Sequence, residues 1–124
     1  MGAIQDRLWE KAVKHRFPLT AAFELLPNCN LQCKMCYVRK SMAEVNEMGG
    51  LLTTDEWLSY ARQARDLGML YPLLTGGEPF LRDDLQELLA KMQEMGLQVS
   101  INSNGTLIGE DTAKWLSRHK PTRI

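Results

Sequence analysis

Apolar and polar residues follow one another along the chain in an order that alternates helix-like stripes with strand-like runs. Over residues 4–15, apolar side chains recur on one face, which predicts an amphipathic helix. The next apolar run, Thr20–Leu26, has the composition of a short buried strand and is closed by Pro27. The chain therefore begins with a helix followed by a strand.

Two further strand and helix units follow. The remaining predicted elements are a helix from Thr53 to about Leu67, a strand over residues 69–75, a helix over 81–95, a strand over 97–101 and a helix over 110–118. Thr53 and Glu56 form a capping box for the first of these helices. Residues 121–124 have the pattern expected at the approach to a fourth strand.

Strand and helix thus alternate three times, which predicts an α/β fold with a parallel sheet and right-handed crossovers. In such a fold the loops that follow the strands share one edge of the sheet. Here those loops contain the cysteine-rich segment 29–36, the Gly-Gly-Glu-Pro segment 76–79 and the Asn-Ser-Asn-Gly-Thr segment 102–106. Because parallel α/β folds place their active sites at that edge, the three loops predict one composite site.

The cysteines carry the most specific signal. Cys29, Cys33 and Cys36 are the only three in the chain, in the spacing C-x3-C-x2-C. An odd trio this close together is not a disulfide framework, which uses its cysteines in pairs. Three thiolates instead suit a metal ion or an iron–sulfur cluster, and they leave one position open for an exogenous ligand.

Two other interpretations of the cysteines are less favoured. Buried structural cysteines fit poorly, because polar Asn30, Gln32 and Lys34 lie between them. A zinc site completed by His15 or His119 is the better rival, although both histidines lie outside the usual zinc-site spacing. An open iron–sulfur cluster is the favoured prediction.

Composition limits the classes of function. The chain has 124 residues, no net charge, 44% apolar and 24% charged residues, as expected for one soluble globular domain at most. The sequence contains no basic run of the kind that binds nucleic acids. It also contains no apolar stretch long enough for a membrane span and no signal-peptide core. We therefore expect a cytoplasmic protein in a reducing compartment.

Segments 76–79 and 102–106 are candidate ligand-binding loops because they follow strands at the same predicted edge as the cysteines. Gly76 and Gly77 have no side chains, so a ligand could approach their backbone, and Glu78 could accept a hydrogen bond from an ammonium group. Either loop alone is more typical of an ordinary turn.

Together these residues resemble the radical S-adenosylmethionine (radical SAM) superfamily. The matching pieces are the three cysteines after the first strand, Thr75–Pro79 after the second and Ser103–Thr106 after the third. The segment Pro27–Tyr37 is most similar to members with a C-terminal extension of the SPASM type, among them peptide-maturation enzymes and anaerobic sulfatase activators.

The resemblance implies a [4Fe–4S] cluster on the three cysteines, with S-adenosylmethionine bound at the open iron. The residues implied in cofactor contacts are Gly76, Gly77 and Glu78 at the methionyl amine, Met35 at the adenine, and Ser103 or Asn104 nearby. One electron, from a donor such as flavodoxin or ferredoxin, would cleave the cofactor to a 5′-deoxyadenosyl radical. That radical would abstract hydrogen from a small-molecule or peptide substrate. No residue is assigned as catalytic.

Two departures from the family pattern are visible. Met35 stands where an aromatic residue is common, and only about three of six strand–helix units are present. We expect residues 1–18 to be an N-terminal helical extension and residues 19–124 to be the N-terminal half of a partial (β/α) barrel. This half could associate with a missing C-terminal half. The competing functions are a small electron carrier and a non-catalytic, truncated metal-binding or interaction module.

Overall fold

The computed structural model describes residues 2–124 and contains the predicted alternation of helices and strands. The elements are α1 (Ala3–His15), β1 (Thr20–Glu24), α2 (Met42–Glu47), α3 (Thr54–Asp66), β2 (Tyr71–Thr75), α4 (Leu85–Glu94), β3 (Ser100–Ile101) and α5 (Glu110–Arg118). A short 3-10 turn, Pro79–Leu81, lies between β2 and α4. No helix among residues 2–124 is both long enough and apolar enough to cross a bilayer.

The three strands form one parallel sheet in the order β1-β2-β3. The β1–β2 register runs from Thr20 opposite Tyr71 to Glu24 opposite Thr75. This arrangement confirms the predicted α/β fold class, and it brings the three loops that follow the strands to the same edge.

The last residues of the chain lie beside β3. Arg123 forms a parallel bridge with Ser100, and its carbonyl oxygen accepts a hydrogen bond from the backbone N–H of Ile101 at 2.9 Å. The backbone N–H of Thr122 donates to the carbonyl oxygen of Val99 at 2.7 Å. The segment predicted to approach a fourth strand therefore occupies the position of one.

Strand β3 is shorter than the pattern of residues 97–101 predicts, and Pro72 gives a physical reason. The N–H of Tyr71 donates toward β1, to the carbonyl oxygen of Leu19, so the next residue, Pro72, faces β3. Proline has no N–H to contribute to the ladder. The pairing of β2 with β3 accordingly starts only at Leu73 opposite Ser100.

The hydrophobic core lies on one side of the sheet. Phe23, Leu74 and Ile101 point to that side and pack with the apolar faces of α3 and α4, including Leu58 and Leu88. The residues that alternate with them, such as Ala22 and Leu73, point to the opposite side, where a cavity of about 300 Å³ lies. Helices α3 and α4 therefore cover the side of the sheet that carries Phe23, Leu74 and Ile101.

The structure differs from the sequence prediction at two helices. Helix α2 was not predicted, although Ser41 and Glu44 form a capping box that signals its start: Ser41 Oγ accepts from the Glu44 N–H at 3.3 Å. Helix α4 begins at Leu85 rather than at residue 81, because Pro79–Leu81 form a separate turn and Arg82 is extended.

An arginine with a largely enclosed side chain connects segments that are far apart in sequence. The Arg82 guanidinium, 7% exposed, donates to the carbonyl oxygens of Leu25 at 3.3 Å and Leu52 at 3.1 Å. It also forms an ion pair with Asp84 at 2.7 Å, and Thr54 Oγ1 donates to the same carboxylate at 2.6 Å. The residue that follows β1 is thereby tied to the start of α4.

This ion pair should be visible in the pH dependence of stability. The hydrogen bond from Arg82 holds the pKa of Asp84 below its ordinary value, against an opposing effect of burial. Asp84→Asn should therefore lower the free energy of unfolding near neutral pH. The difference from the unaltered chain should shrink as the pH falls below roughly 3.9, the unfolded pKa of an aspartate, and through the lower folded pKa. Urea unfolding of both proteins, from neutral pH to below the folded pKa of Asp84, measures this difference in the free energy of unfolding.

Asp83→Asn is the matched control, because Asp83 is exposed and its side chain makes no described hydrogen bond or ion pair. The free energy of unfolding of Asp83→Asn should differ little from that of the unaltered chain at any pH. An equal and pH-independent loss in both variants would contradict the role given to the ion pair.

Candidate functional site

Three loops meet at the edge where the parallel strands end. We call residues 25–40 the cysteine loop, residues 76–79 the glycine loop and residues 102–106 the asparagine loop. They follow β1, β2 and β3 in turn. Their contacts with one another determine the geometry of the site.

The carboxylate of Glu78 joins the glycine loop to the asparagine loop. Glu78 is fully buried and is the only buried polar or charged residue recorded within residues 2–124. Its Oε1 accepts from Ser103 Oγ at 2.9 Å and from the Phe80 N–H at 3.0 Å, while Oε2 accepts from the Asn104 N–H at 2.8 Å. Three donors thus satisfy a carboxylate that would be costly to bury alone.

Backbone contacts join the glycine loop to the cysteine loop. The Gly77 N–H donates to the carbonyl oxygen of Leu26 at 2.7 Å, and the Glu78 N–H donates to that of Asn28 at 3.0 Å. A Cβ atom on Gly76 would overlap the Leu26 carbonyl oxygen, and one on Gly77 would overlap the Asn28 carbonyl oxygen. Gly76 also has a φ of +138°, which favours glycine. Both glycines are thus required for this approach of two loops.

Side chains join the cysteine loop to the asparagine loop. Asn30 Nδ2 donates to Thr106 Oγ1 at 2.7 Å, and Asn104 Nδ2 donates to Asn30 Oδ1 at 2.9 Å. Asn104 Nδ2 also lies 3.7 Å from the sulfur of Cys29. Sequence reasoning missed Asn30, because an asparagine between two cysteines has no pattern that reveals a distant partner.

The three cysteines are free thiols on one loop. Cys29 is half-buried, whereas Cys33 and Cys36 are exposed, and the Cys36 N–H donates to the Cys33 carbonyl oxygen at 3.1 Å. Within residues 2–124, no three His, Cys, Asp or Glu side chains are grouped closely enough to hold a single metal ion. His119 is instead stacked on Trp115, with ring centroids 4.0 Å apart.

A cavity of about 440 Å³ lies between the cysteine loop and the glycine loop. It is lined by Gly76, by Pro27 and Tyr37 of the cysteine loop and by the charged residues Glu24 and Lys40. Its volume is in the range typical of small-molecule sites. Glu24 is exposed at the end of β1 and lines this cavity.

The structure thus brings most of the predicted site residues to one edge of the sheet. Met35 is 91% exposed and lines none of the described cavities. The side chains of Glu78 and Ser103 bind each other. Their contact with a cofactor stays a prediction, as do those of the other predicted residues.

Comparison with known proteins identifies the family. A model of the Radical SAM superfamily matches residues 23–124. The chain belongs to the radical SAM superfamily. This confirms the resemblance seen in the sequence to a superfamily of enzymes whose two cofactors are a [4Fe–4S] cluster and S-adenosylmethionine.

Curated relatives and solved structures of this superfamily match the same region. The PqqA peptide cyclase of Granulibacter bethesdensis is 37% identical over 93 residues, which cover 75% of this chain and 24% of that protein. The PqqA peptide cyclase of Bradyrhizobium diazoefficiens is 33% identical over 91 residues, covering 73% of this chain and 23% of that protein. This chain therefore spans about a quarter of the length of these relatives.

Two solved structures of Streptococcus suis SuiB are similar in fold at 27% sequence identity. SuiB bound to S-adenosylmethionine matches with a TM-score of 0.67 over 93% of this chain and 25% of its own. SuiB bound to the precursor peptide SuiA matches with a TM-score of 0.70 over 91% and 25%.

Replacing Glu78 by glutamine should destabilise the radical SAM fold. A glutamine offers one acceptor oxygen where the carboxylate uses two, and its amide group would face an N–H donor. The loss of charge-assisted hydrogen bonds predicts a decrease of about 1.5–3 kcal/mol in the free energy of unfolding. Glu24→Gln, at an exposed glutamate, is the control and should change it by less than about 0.5 kcal/mol. Equal stability of the two variants would contradict the role of Glu78.

Gly77→Ala should disturb the cysteine loop as well as the glycine loop. The added Cβ would meet the Asn28 carbonyl group, directly before Cys29, so one loop must move. We expect less iron and sulfide retained after anaerobic reconstitution, together with lower stability. Gly109→Ala is the control, since a Cβ there meets no atom within 4 Å. Full iron content with normal stability in Gly77→Ala would show that the loops do not depend on this contact.

Proposed function

We propose that this chain is the cofactor-binding part of a radical SAM enzyme that cleaves S-adenosylmethionine reductively and abstracts hydrogen from a peptide. The observation that carries the proposal is the junction of three loops at one sheet edge, with three free thiols on the first of them. Membership of the superfamily supports the same chemistry.

The residues present fit both cofactors. Three thiols on one loop match the donor set of a cluster with one open iron, and the exposed sulfurs of Cys33 and Cys36 are accessible to it. The cavity beside Gly76 offers space for a small molecule next to that loop. When bound and reduced, the cluster supplies one electron to the sulfonium of S-adenosylmethionine.

The chain's own residues would hold and orient these groups. Cys29, Cys33 and Cys36 would bind the irons. The backbone of Gly76 and Gly77 would border the methionyl group, while the buried Glu78 carboxylate would act by fixing the loop that does so. The remaining assigned contacts are Met35 at the adenine and Ser103 or Asn104 nearby.

A peptide is the proposed substrate class. The support is that relatives matched over three quarters of this chain are named PqqA peptide cyclases, and that SuiB has been solved with a precursor peptide. An electron donor such as flavodoxin or ferredoxin would reduce the cluster. We assign cofactor binding to residues 19–124 and treat residues 1–18 as an extension that precedes it.

Anaerobic reconstitution tests the proposal. The unaltered chain should bind a [4Fe–4S] cluster, and added S-adenosylmethionine should change the electron paramagnetic resonance spectrum of the reduced cluster. Replacing any one of the three cysteines by alanine should abolish the cluster, because two thiolates hold it poorly. A cluster indifferent to S-adenosylmethionine would favour an electron carrier, and bound zinc would favour a non-catalytic module.

His15→Ala combined with His119→Ala is the control for the zinc alternative. The double variant should retain its cluster, because neither histidine is grouped with the cysteines in the described residues. Loss of metal from it would favour a site completed by histidine.

A further inference from the structure

One side chain of the asparagine loop is aimed at a cysteine sulfur. Asn104 Nδ2 donates to Cys29 Sγ at 3.7 Å, within the range of hydrogen bonds to sulfur, and also donates to Asn30 Oδ1 at 2.9 Å. The two residues are 75 positions apart. The contact therefore depends on the meeting of loops that follow β1 and β3.

The orientation of the Asn104 amide is determined by its other partners. Its Oδ1 accepts from the Thr106 N–H at 3.0 Å and from Thr106 Oγ1 at 2.7 Å. Flipping the amide would place its N–H groups against these two donors and its oxygen against the Asn30 oxygen. The N–H groups of Asn104 consequently face Asn30 and Cys29.

The backbone of Asn104 is also fixed by a hydrogen bond. Its N–H donates to Glu78 Oε2 at 2.8 Å, and that carboxylate is fully buried. A chain of contacts therefore runs from the buried Glu78 through Asn104 to the sulfur of Cys29.

Cys29 differs from the other two cysteines in its hydrogen bonds. Its sulfur accepts from the Leu31 N–H at 3.4 Å as well as from Asn104. Within residues 2–124, no hydrogen-bond donor reaches the sulfur of Cys33 or Cys36. Cys29 is also the least exposed of the three.

We propose that Asn104 is a positioning residue that acts through Cys29: its side-chain N–H group holds the thiolate and raises the reduction potential of the cluster bound there. This inference rests on the proposed function, because it requires Cys29 to be a cluster ligand. Reduction adds one electron to the cluster, and part of the added negative charge lies on the thiolate sulfurs. A donor to one of these sulfurs stabilises the reduced form and makes the potential less negative.

The test compares midpoint potentials in the absence of S-adenosylmethionine. Each variant is reconstituted anaerobically, titrated with dithionite and followed by electron paramagnetic resonance. Asn104→Leu keeps the approximate size of the side chain without its donor and should give a more negative midpoint at unchanged iron and sulfide content. Asn104→Asp should shift it further in the same direction, since a carboxylate cannot donate to sulfur and adds a negative charge.

Asn102→Asp is the matched control. It introduces the same charge two residues away, at an exposed side chain with no described hydrogen bond. Its midpoint should shift less than that of Asn104→Asp. Equal shifts in these two variants, or an unchanged midpoint in Asn104→Leu, would overturn the proposal.

Three further outcomes would support or contradict the role of Asn104 and the proposed function. Loss of the cluster from both Asn104 variants would overturn the proposal by assigning Asn104 a purely structural role. Failure of the unaltered chain to bind a cluster would end both proposals. A cluster that shows the predicted potential shifts but does not respond to S-adenosylmethionine would support the role of Asn104 and contradict the proposed function.

Discussion

The site depends on one buried charge. Glu78 is enclosed completely, and its carboxylate accepts hydrogen bonds from Ser103 and Asn104 of the asparagine loop and from the N–H of Phe80. A carboxylate without these donors would be costly to bury, and the donors without it would leave N–H groups unpaired. The glycine loop and the asparagine loop are therefore each incomplete without the other. This mutual dependence explains how a short strand such as β3, paired over only two residues, still positions its loop accurately.

The sequence identified the glycine loop as part of the site, but it did not reveal why both glycines are needed. Missing side chains at Gly76 and Gly77 suggested room for a ligand. In the structure the space beside both glycines is filled by backbone atoms of Leu26 and Asn28. Only Gly76 also borders the 440 Å³ cavity. The motif thus serves the packing of one loop on another, and any contact with a ligand is made by the outer surface of that packed unit.

Much of the architecture could be predicted from the sequence, because it depends on local patterns. Apolar periodicity located most helices and strands, and the alternation of the two determined the parallel sheet. The capping box at Ser41 and Glu44 was equally local and was overlooked. By contrast, nothing near Arg82 or Asn30 indicates which distant group each will bind. Such pairings exist only once the strands have assembled, so they belong to the tertiary fold rather than to any segment.

The hydrogen bonds made by Arg82 are part of a set of contacts that fix the cysteine loop. The loop is anchored from outside: Arg82 holds the Leu25 carbonyl, the glycine loop holds Leu26 and Asn28, and the asparagine loop holds Asn30. A synthetic peptide carrying the three cysteines would have the right thiols in the right order without this enclosure. The thiols are thus encoded by eight neighbouring residues, whereas their surroundings are encoded by the whole sheet. The contacts that enclose the thiols therefore exist only where the sheet has assembled.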